Sequence, residues 1–413
     1  MNIDSFNDRK GIATDLIPMF ITPLIYYDSN VNGVINTALI EALPDNYKPV
    51  VLGSIVSKYC GRSTILRANE DIFVRAFLKL GPKSITKIIK DLPDKYYYQW
   101  YLYALWKGNR YIKSHQISYL HSISVPYSSH LIALRLKKKY QLPWVAQFYE
   151  PWGNNSYRIA NRWVLEKNEK WEKIVAENAD IIIHNSDEMV EYWRNKYGKI
   201  VEDKIFSLPM SFNFEKFKTK HHFSSKINKL HICHIGNLYR IRRADVFLRS
   251  LASLFDEFPS FKEKVLVSFI GEIPKEDIDL VKELGLTDVV HIVGILSEAD
   301  CIDYYENADI FLVIESPNQG QLFFPSKLIR YYYYRKPIIG LTCKNSVLYN
   351  QLIKNGHYVC ESNDIDGIKQ YLWKAVSDYT SLLDINLNAW TQFEAQNVAS
   401  MYSEIINRNL AIL

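Results

Sequence analysis

The segment Phe324–Lys336 (FPSKLIRYYYYRK) lies between two short apolar runs, Ile310–Ile314 (IFLVI) and Pro337–Leu341 (PIIGL). An apolar run, a loop with Pro and Ser, a helix and another apolar run are typical of a strand–helix–strand unit in a parallel sheet. Ser326 and Lys327 fall where the predicted helix begins. Backbone N–H groups, the helix dipole, a hydroxyl and an ammonium would converge there, which suits a phosphate. Taken alone, however, the segment is explained better by a Ser that caps the helix and a solvated Lys.

A second junction of the same kind lies upstream. Leu230–Ile235 (LHICHI) predicts a strand, the loop Gly236–Arg243 (GNLYRIRR) follows it, and Ala244–Phe255 has apolar residues at helical spacing. The glycine that opens the loop allows a tight turn and the close approach of a ligand. Arg242, or the arginine after it, stands at the helix start, where a guanidinium can hold a diphosphate with two hydrogen bonds. A solvated basic turn is the alternative, but two junctions that each end in a cation favour a phosphate site.

In this order the features resemble the nucleotide-sugar-binding domain of the retaining, bacterial, family-4-like GT-B glycosyltransferases. The matching landmarks are Gly236–Leu238 with Arg242, Val265–Gly271, His291–Gly294, Tyr304–Asp309, and Pro325–Lys327 with Tyr331. In the N-terminal half, Ser128–His130 and Leu142–Trp152 are similar to bacterial members that carry Asp-Pro-Trp after the corresponding strand. The resemblance covers roughly residues 10–375. It implies an α/β protein of the GT-B fold, with two Rossmann-like parallel-sheet domains that face a central cleft.

The resemblance also implies which residues bind the donor and act on it. Those expected at the donor are Gly236, Asn237, Arg242, Gly271, Glu272, Gly294, Glu315, Ser326 and Lys327. Arg242 and Lys327 would stabilise the charge that grows on the leaving diphosphate, so no metal or other cofactor is expected. Asn32 and Gly33 lie in a loop that approaches the donor phosphates and the acceptor in the family. Glu150 would take the acceptor proton or orient its hydroxyl; a structural carboxylate that caps the next turn is the equal alternative.

The sequence departs from the family at two glutamates that many members carry eight residues apart near the donor. The first would fall near Leu322 and the second at Arg330, so neither position is acidic here. The family's Arg after the first Gly is Asn237, and its following Lys is Arg242, which keeps the charge. Because the second glutamate holds the donor ribose in related enzymes, Glu315 at the end of the neighbouring strand is a candidate substitute. An ordinary loop carboxylate explains Glu315 equally well.

Length and composition agree with a two-domain protein that does not bind nucleic acid. A chain of 413 residues is long for one core, and 48% hydrophobic with 23% charged residues is typical of a globular protein. The net charge of +5 is too small for a nucleic-acid footprint. Five widely spaced cysteines show no disulfide or metal pattern, which favours reduced thiols in the cytoplasm. The N-terminus has no apolar signal core, and no run approaches a membrane span.

The alternation of strand-like and helix-like segments divides the chain into domains. We expect an acceptor-binding domain at residues 1–212, a polar linker at 213–228, a donor domain at 229–385 and, at 386–413, a helix that returns toward the first domain. Within the first domain, the loop 28–33 precedes a helix expected from about Val34 to Leu43. Asp364-Ile-Asp366 has the form of a metal motif, but its polar surroundings favour helix-capping turn chemistry.

Aromatic residues are dense at Tyr96–Trp106 (YYYQWYLYALW), which is followed by Lys107, Arg110 and Lys113, and by the basic run Arg135–Lys139. Helix packing is the commoner explanation of such a cluster, but docking on a membrane surface is the other, and a lipid-linked acceptor would require it.

The resulting prediction is a hexosyltransferase that moves a sugar from a UDP-sugar or GDP-sugar to a saccharide or lipid-linked saccharide. Retention of configuration, synthesis of a bacterial surface polysaccharide (lipopolysaccharide or capsule), and a place in the cytoplasm or at the inner face of its membrane follow from the resemblance. Two alternatives stay open. One is a sugar-nucleotide epimerase or hydrolase of the same fold. The other is a non-catalytic GT-B-like binding or scaffold protein, which the missing acidic pair favours.

Overall fold

The computed structural model of the chain describes residues 15–25, 30–53, 61–67, 92–94, 97–153, 155, 162–217, 229–239, 242–315 and 322–410. These residues form two compact units. The first holds the described parts of Met1–Asn155, Ala160–Asn213 and Ala395–Leu413, and the second holds those of Phe214–Glu394. Each unit is built on a sheet whose described strand pairings are all parallel, as predicted.

The first unit has the strand order β3-β2-β1-β4-β5-β6-β7. Its strands are β1 (Pro18–Ile21), β2 (Val50–Gly53), β3 (Thr64–Arg67), β4 (Tyr119–Ile123), β5 (Trp144–Phe148), β6 (Ile181–His184) and β7 (Ile205–Ser207). Its helices are α1 (Val31–Ala42), α2 (Tyr98–Ile112), α3 (Ser128–Tyr140), α4 (Arg162–Asn178), α5 (Asp187–Tyr197) and, from the end of the chain, α12 (Ala395–Leu410). All residues of the central strands β1, β4, β5 and β6 are buried. Burial on both faces explains why these strands are nearly continuous apolar runs.

The second unit has the strand order β10-β9-β8-β11-β12-β13. Its strands are β8 (Leu230–Ile235), β9 (Val265–Ile270), β10 (Val290–Gly294), β11 (Ile310–Ile314), β12 (Ile338–Leu341) and β13 (Tyr358–Cys360). Its helices are α6 (Asp245–Glu257), α7 (Lys275–Glu283), α8 (Glu298–Asn307), α9 (Lys327–Tyr333), α10 (Val347–Lys354) and α11 (Ile365–Ser377). This is the order of a doubly wound sheet, in which ligands bind outside the carboxyl ends of the strands where the order reverses. In this unit the reversal lies between β8 and β11.

The helix after β1 begins earlier than predicted. Asn30 caps α1, because its Oδ1 atom accepts hydrogen bonds from the backbone N–H groups of Asn32 at 2.9 Å and Gly33 at 3.4 Å. The prediction that Asn32 and Gly33 lie in a loop is therefore wrong, since both belong to the first turn of α1. Asp28 and Ser29 of the predicted loop lie outside the described residues.

The last helix, α12, packs on the first unit. The hydroxyl of Tyr402 lies 2.7 Å from Nδ1 of His121 and 2.9 Å from the hydroxyl of Tyr119, both on β4. The backbone N–H of Ala395 donates to the carbonyl of Phe212 at 3.0 Å. The change from the second unit to the first falls at Ala395.

The segment just before α12 stays with the second unit because its aromatic residues pack there. The ring of Trp390 lies 5.1 Å from that of Phe214 and 5.7 Å from that of Tyr333, and Phe393 lies 6.2 Å from Tyr332. Phe214, the second residue of the segment expected as a linker, is itself buried. Residues 218–228 of that segment lie outside the described part of the chain.

Two smaller predictions can be compared with the structure. The Asp364 carboxylate caps α11 by accepting from the N–H of Gly367 at 2.9 Å, which confirms helix-capping chemistry for Asp364-Ile-Asp366. Across the described ranges, no helix has both the length and the apolar character that crossing a bilayer demands.

Candidate functional site

The carboxyl ends of β8 and β9 are held together by two glycines and an asparagine. A Cβ on Gly271 would lie 2.7 Å from the backbone C and O atoms of Gly236, so only glycine fits at that position, where φ is +122°. Asn237 accepts through Oδ1 from the N–H of Glu272 at 2.9 Å. The N–H of Gly271 in turn donates to the carbonyl of Gly294 at 2.8 Å. The predicted glycines at the carboxyl ends of β8, β9 and β10 therefore form one continuous edge. Glu272 contributes its backbone to this edge.

Lys327 reaches this edge from the start of α9. A Cβ on Gly236 would lie 2.9 Å from Nζ of Lys327, so the missing side chain leaves room for the amino group. Nζ also lies 2.9 Å from Nε2 of His234, which is fully buried in β8. Burial lowers the pKa of Lys327 to about 7, and Arg242 adds to the shift while Glu315 opposes it.

Arg242 forms an ion pair at the same place. Its Nε and Nη2 atoms donate to one carboxylate oxygen of Glu315, at 2.9 and 2.8 Å. The Glu315 side chain is 1% exposed and the Arg242 side chain 14%. The guanidinium carbon of Arg242 also lies 5.2 Å from the ring centre of Tyr239. The ion pair joins the loop after β8 to the end of β11, which is the point where the strand order reverses.

The local sequence pattern left Arg242 and Arg243 as alternatives, and the resemblance favoured Arg242. In the structure the two arginines have different partners. Arg243 donates to Asp277 on α7, at 2.8 Å through Nε and 2.6 Å through Nη2, and the Asp277 side chain is 1% exposed. The other oxygen of that carboxylate accepts from the N–H of Ala244 at 3.0 Å. Arg243 therefore holds α6 against α7, and Arg242 is the arginine that joins the cluster of His234, Lys327 and Glu315.

Ser326 is not the helix cap that the sequence analysis gave as an alternative. It has helical backbone angles, and its hydroxyl does not cap α9. The N–H groups of Leu328 and Ile329 already donate to the carbonyls of Pro325 at 2.9 Å and Ser326 at 3.2 Å. The prediction that backbone N–H groups at the start of this helix converge on a phosphate is therefore not supported for Leu328 and Ile329. The cation at this junction is the Lys327 amino group.

The positions of the missing family glutamates have other roles here. The Arg330 guanidinium pairs with the Glu298 carboxylate on α8, so it ties α9 to its neighbouring helix. Glu315 lies at the point of strand reversal, and its Oε2 atom accepts hydrogen bonds from Arg242. Its role toward a ribose stays a prediction.

The remaining predicted residues lie in the first unit. Glu150 follows β5 and is half-buried, and its Oε2 atom accepts from Nδ2 of Asn155 at 3.3 Å. The next residues are structural: the carbonyl of Pro151 accepts from the hydroxyl of Tyr127 at 2.8 Å, and the Trp152 ring stacks on the Tyr127 ring at 4.6 Å. Glu150 is thus held on a rigid corner at the carboxyl end of β5.

Sequence reasoning missed His234. A histidine within an apolar run of strand residues is usually a core residue whose hydrogen bonds are satisfied. Its partners Leu312 and Lys327 are 78 and 93 residues away, so no local pattern identifies it. Sequence reasoning also missed the role of the Tyr331 hydroxyl. This hydroxyl accepts a hydrogen bond from the N–H of Ile235 at 2.8 Å and so holds α9 against β8.

Comparison with known proteins identifies similar sequences and structures. Residues 60–215 match the model of Glycosyltransferase Family 4. A D-inositol 3-phosphate glycosyltransferase of Nocardiopsis dassonvillei is 26% identical over 149 residues, which are 33% of this chain and 34% of that protein. The match therefore spans about a third of that relative's length.

Two solved structures align along nearly the whole chain. Sucrose-phosphate synthase from Thermosynechococcus elongatus has a TM-score of 0.68 at 14% identity, and the alignment covers 97% of this chain and 100% of that one. HepE of Anabaena, in complex with UDP and glucose, has a TM-score of 0.64 at 12% identity, with 95% and 100% covered. The chain has the GT-B fold.

The predicted resemblance to GT-B glycosyltransferases is therefore confirmed, and most of the residues that match the family 4 model belong to the first unit. The comparisons also support the prediction of a nucleotide-sugar-dependent transferase. Within the second unit of the GT-B chain, the cluster of His234, Arg242, Glu315 and Lys327 lies where a doubly wound sheet binds its ligand.

Proposed function

We propose that this chain is a glycosyltransferase that moves a sugar from a nucleoside-diphosphate sugar to a saccharide or lipid-linked saccharide. The observation that carries the proposal is the pair of cations at the strand reversal of the second unit. The amino group of Lys327 lies over the glycine edge, and the Arg242 guanidinium lies beside it with 14% of its side chain exposed.

These groups suit the chemistry of glycosyl transfer. When the bond between the sugar and the diphosphate breaks, negative charge grows on the leaving phosphate oxygen. The cationic side chains of Arg242 and Lys327 would hold that oxygen. The carboxylate of Glu315 balances only part of their positive charge. In the proposed reaction this fixed charge takes the place of a divalent metal. The proposed reaction retains the anomeric configuration, as the resemblance to family 4 implies.

The donor base is the next part of the proposal. Structures of HepE, which shares the GT-B fold, contain UDP or UDP-glucose. This supports UDP as the first nucleotide to test and GDP as the second. Glu315, at the end of β11, is the residue we assign to the donor ribose in place of the usual family glutamate.

The acceptor would bind through the first unit. Glu150, on its corner after β5, is proposed to take the acceptor proton or to orient the acceptor hydroxyl. A saccharide of a bacterial surface polysaccharide, assembled in the cytoplasm or at the inner face of its membrane, is the acceptor we favour.

A lipid-linked acceptor would require contact with a membrane, and the surface of α2 supports this part of the proposal. Trp106 is 51% exposed, and the exposed Arg110 lies 5.8 Å from its ring. Lys113 and the exposed lysines of α3 extend the basic surface. Trp100 and Tyr101 are buried, so part of the aromatic cluster is packing, while Tyr96 lies outside the described residues.

Vesicle co-sedimentation tests the membrane contact. We expect binding to vesicles with anionic lipid, little binding to zwitterionic vesicles, and loss of binding in a Trp106→Ala/Arg110→Ala variant. Equal sedimentation of the variant and the wild type would contradict the contact.

A release assay tests the main proposal and separates it from its alternatives. The protein is incubated with UDP-sugars and GDP-sugars, with and without an oligosaccharide acceptor, and free nucleotide and sugar products are measured. A transferase releases nucleotide faster when acceptor is present, and an epimerase changes the sugar without acceptor. A hydrolase releases free sugar without acceptor, and a scaffold protein does none of these.

A further inference from the structure

His234 is a buried polar residue in the central strand of the second unit, and both of its ring nitrogens are used. Nδ1 lies 2.9 Å from the carbonyl oxygen of Leu312, and Nε2 lies 2.9 Å from Nζ of Lys327. Since a carbonyl oxygen can only accept, Nδ1 carries the proton and donates it. Nε2 is then a bare acceptor, and the Lys327 amino group donates to it.

The two hydrogen bonds connect Lys327 to the framework of the sheet. Leu312 lies in β11, and His234 lies in β8, so the imidazole bridges the two strands between which the order reverses. The Phe269 ring of β9 lies 5.9 Å from the imidazole. Burial, together with the nearby charge of Lys327, keeps the pKa of His234 well below its usual range, so the ring stays neutral and remains an acceptor.

The direction of the lysine amino group follows from this arrangement. One N–H of Nζ is directed at His234, and the Gly236 edge lies against the same atom, where a Cβ would approach within 2.9 Å. The other hydrogen atoms of the amino group then have fixed directions. A flexible lysine would otherwise lose its side-chain freedom only when a ligand binds, and that loss weakens binding.

We propose that His234 is a positioning residue, which holds the Lys327 amino group at the strand reversal so that it is directed at the diphosphate of the nucleotide. The inference rests on the proposed function, because it takes a nucleoside diphosphate as the ligand. It extends that function, because it assigns a part of the nucleotide affinity to His234, a buried strand residue. His234 contributes to that affinity only through Lys327.

Titration calorimetry with UDP, and with GDP if UDP does not bind, tests the inference in a double-mutant cycle. We expect His234→Leu to weaken nucleotide binding roughly tenfold, because Lys327 loses its fixed acceptor. In a Lys327→Met background the same His234→Leu change should have no further effect, since the residue that it positions is gone. His234→Gln, whose amide oxygen can occupy the place of Nε2, should recover most of the affinity.

His231 supplies the matched control. It lies on the same strand and is 3% exposed, and its Nε2 atom is hydrogen-bonded to the hydroxyl of Ser268 at 2.8 Å. His231→Leu should cost comparable thermal stability but change nucleotide affinity less than about twofold. If His234→Leu does not fold, His234→Asn replaces it, because the shorter amide does not reach Lys327, and the same loss is expected.

The outcomes separate the inference from the proposed function. Wild-type affinity in His234→Leu, or a loss of equal size with and without Lys327, would overturn the positioning role while leaving the proposed function intact. If the wild-type protein binds neither UDP nor GDP, the proposed function fails and the inference fails with it.

Discussion

The charge of Lys327 depends on what occupies the site around it. Burial lowers the pKa of the lysine to about 7, far below that of an ordinary lysine. A bound diphosphate favours the ammonium form, so above about pH 7 binding must be accompanied by the uptake of a proton. Affinity is therefore fully present below the Lys327 pKa of about 7 and is lost as the pH rises above it.

We predict that the affinity for UDP-glucose falls roughly tenfold between about pH 6.5 and about pH 8.5. UDP-glucose is preferred to UDP because its phosphates do not titrate in this range. Calorimetry across the range measures the effect, and Lys327→Met should bind weakly with little pH dependence. Affinity that stays constant or increases with pH in the wild type would contradict the assignment.

Arg242 has a structural role beside its proposed role in binding. Its partner Glu315 is 1% exposed, so removal of the guanidinium leaves a buried carboxylate without this cation. We predict that Arg242→Met lowers the free energy of unfolding by about 3 kcal/mol, and that Arg242→Met/Glu315→Gln recovers most of it. Denaturant unfolding measures both variants. A single variant as stable as the wild type would show that the pair does not stabilise the fold.

At this scale the sequence predicted Lys327 and Arg242 as the cations of the site but not the residues that they contact. Lys327 and Arg242 were found because each follows a strand-like run and begins a helix. His234 was missed because its partners are distant in sequence. The choice between Arg242 and Arg243 depends on Asp277, whose burial no local pattern reveals.

At the scale of elements, the loops after β8 and β9 are packed backbone against backbone. We predict that Gly271→Ala lowers the free energy of unfolding by about 3 kcal/mol, because its Cβ would overlap the backbone of Gly236. Gly198→Ala is the control: Gly198 also has positive φ, but nothing lies within 4 Å of its Cβ position, so about 1 kcal/mol is expected. Similar losses measured in urea unfolding for the two variants would argue against the close contact.

Element boundaries were predictable where the pattern was long and apolar. Strands β8 and β11 begin and end at the predicted residues, since buried strands of a parallel sheet are mostly apolar runs. The start of α1 was missed because its first turn, Val31–Gly33, lacks apolar spacing. Asn30, a good N-cap residue, was the available signal.

At the scale of the whole molecule, α12 completes the first unit from the far end of the chain. Val398, Tyr402 and Ile406 are fully buried there. We predict that Tyr402→Ala lowers the free energy of unfolding by about 4 kcal/mol, since it removes a large buried side chain and the partner of His121. Met401→Ala, at a neighbouring residue that is 40% exposed, should cost less than about 0.5 kcal/mol. Equal thermal melting of the two variants would mean that this contact does not support the fold.

The two parallel sheets were predictable from the alternation of strands and helices, but their strand order was not. Periodicity identifies which segments are strands, whereas the order depends on which crossovers pass over which face of the sheet. The resemblance to GT-B glycosyltransferases implied two Rossmann-like domains, but no strand order was predicted from it. The resemblance also could not predict that the chain passes from the second unit to the first at Ala395, because this depends on where Trp390 and Phe393 pack.

The central claim is that Lys327 and Arg242 together bind the diphosphate of a sugar nucleotide. Titration calorimetry of the wild type and of Lys327→Met, with UDP and GDP, tests it most directly. We predict binding of one nucleotide in about the micromolar range, weakened at least roughly tenfold in the variant without loss of thermal stability. Binding of neither nucleotide, or equal affinity in the two proteins, would contradict the claim.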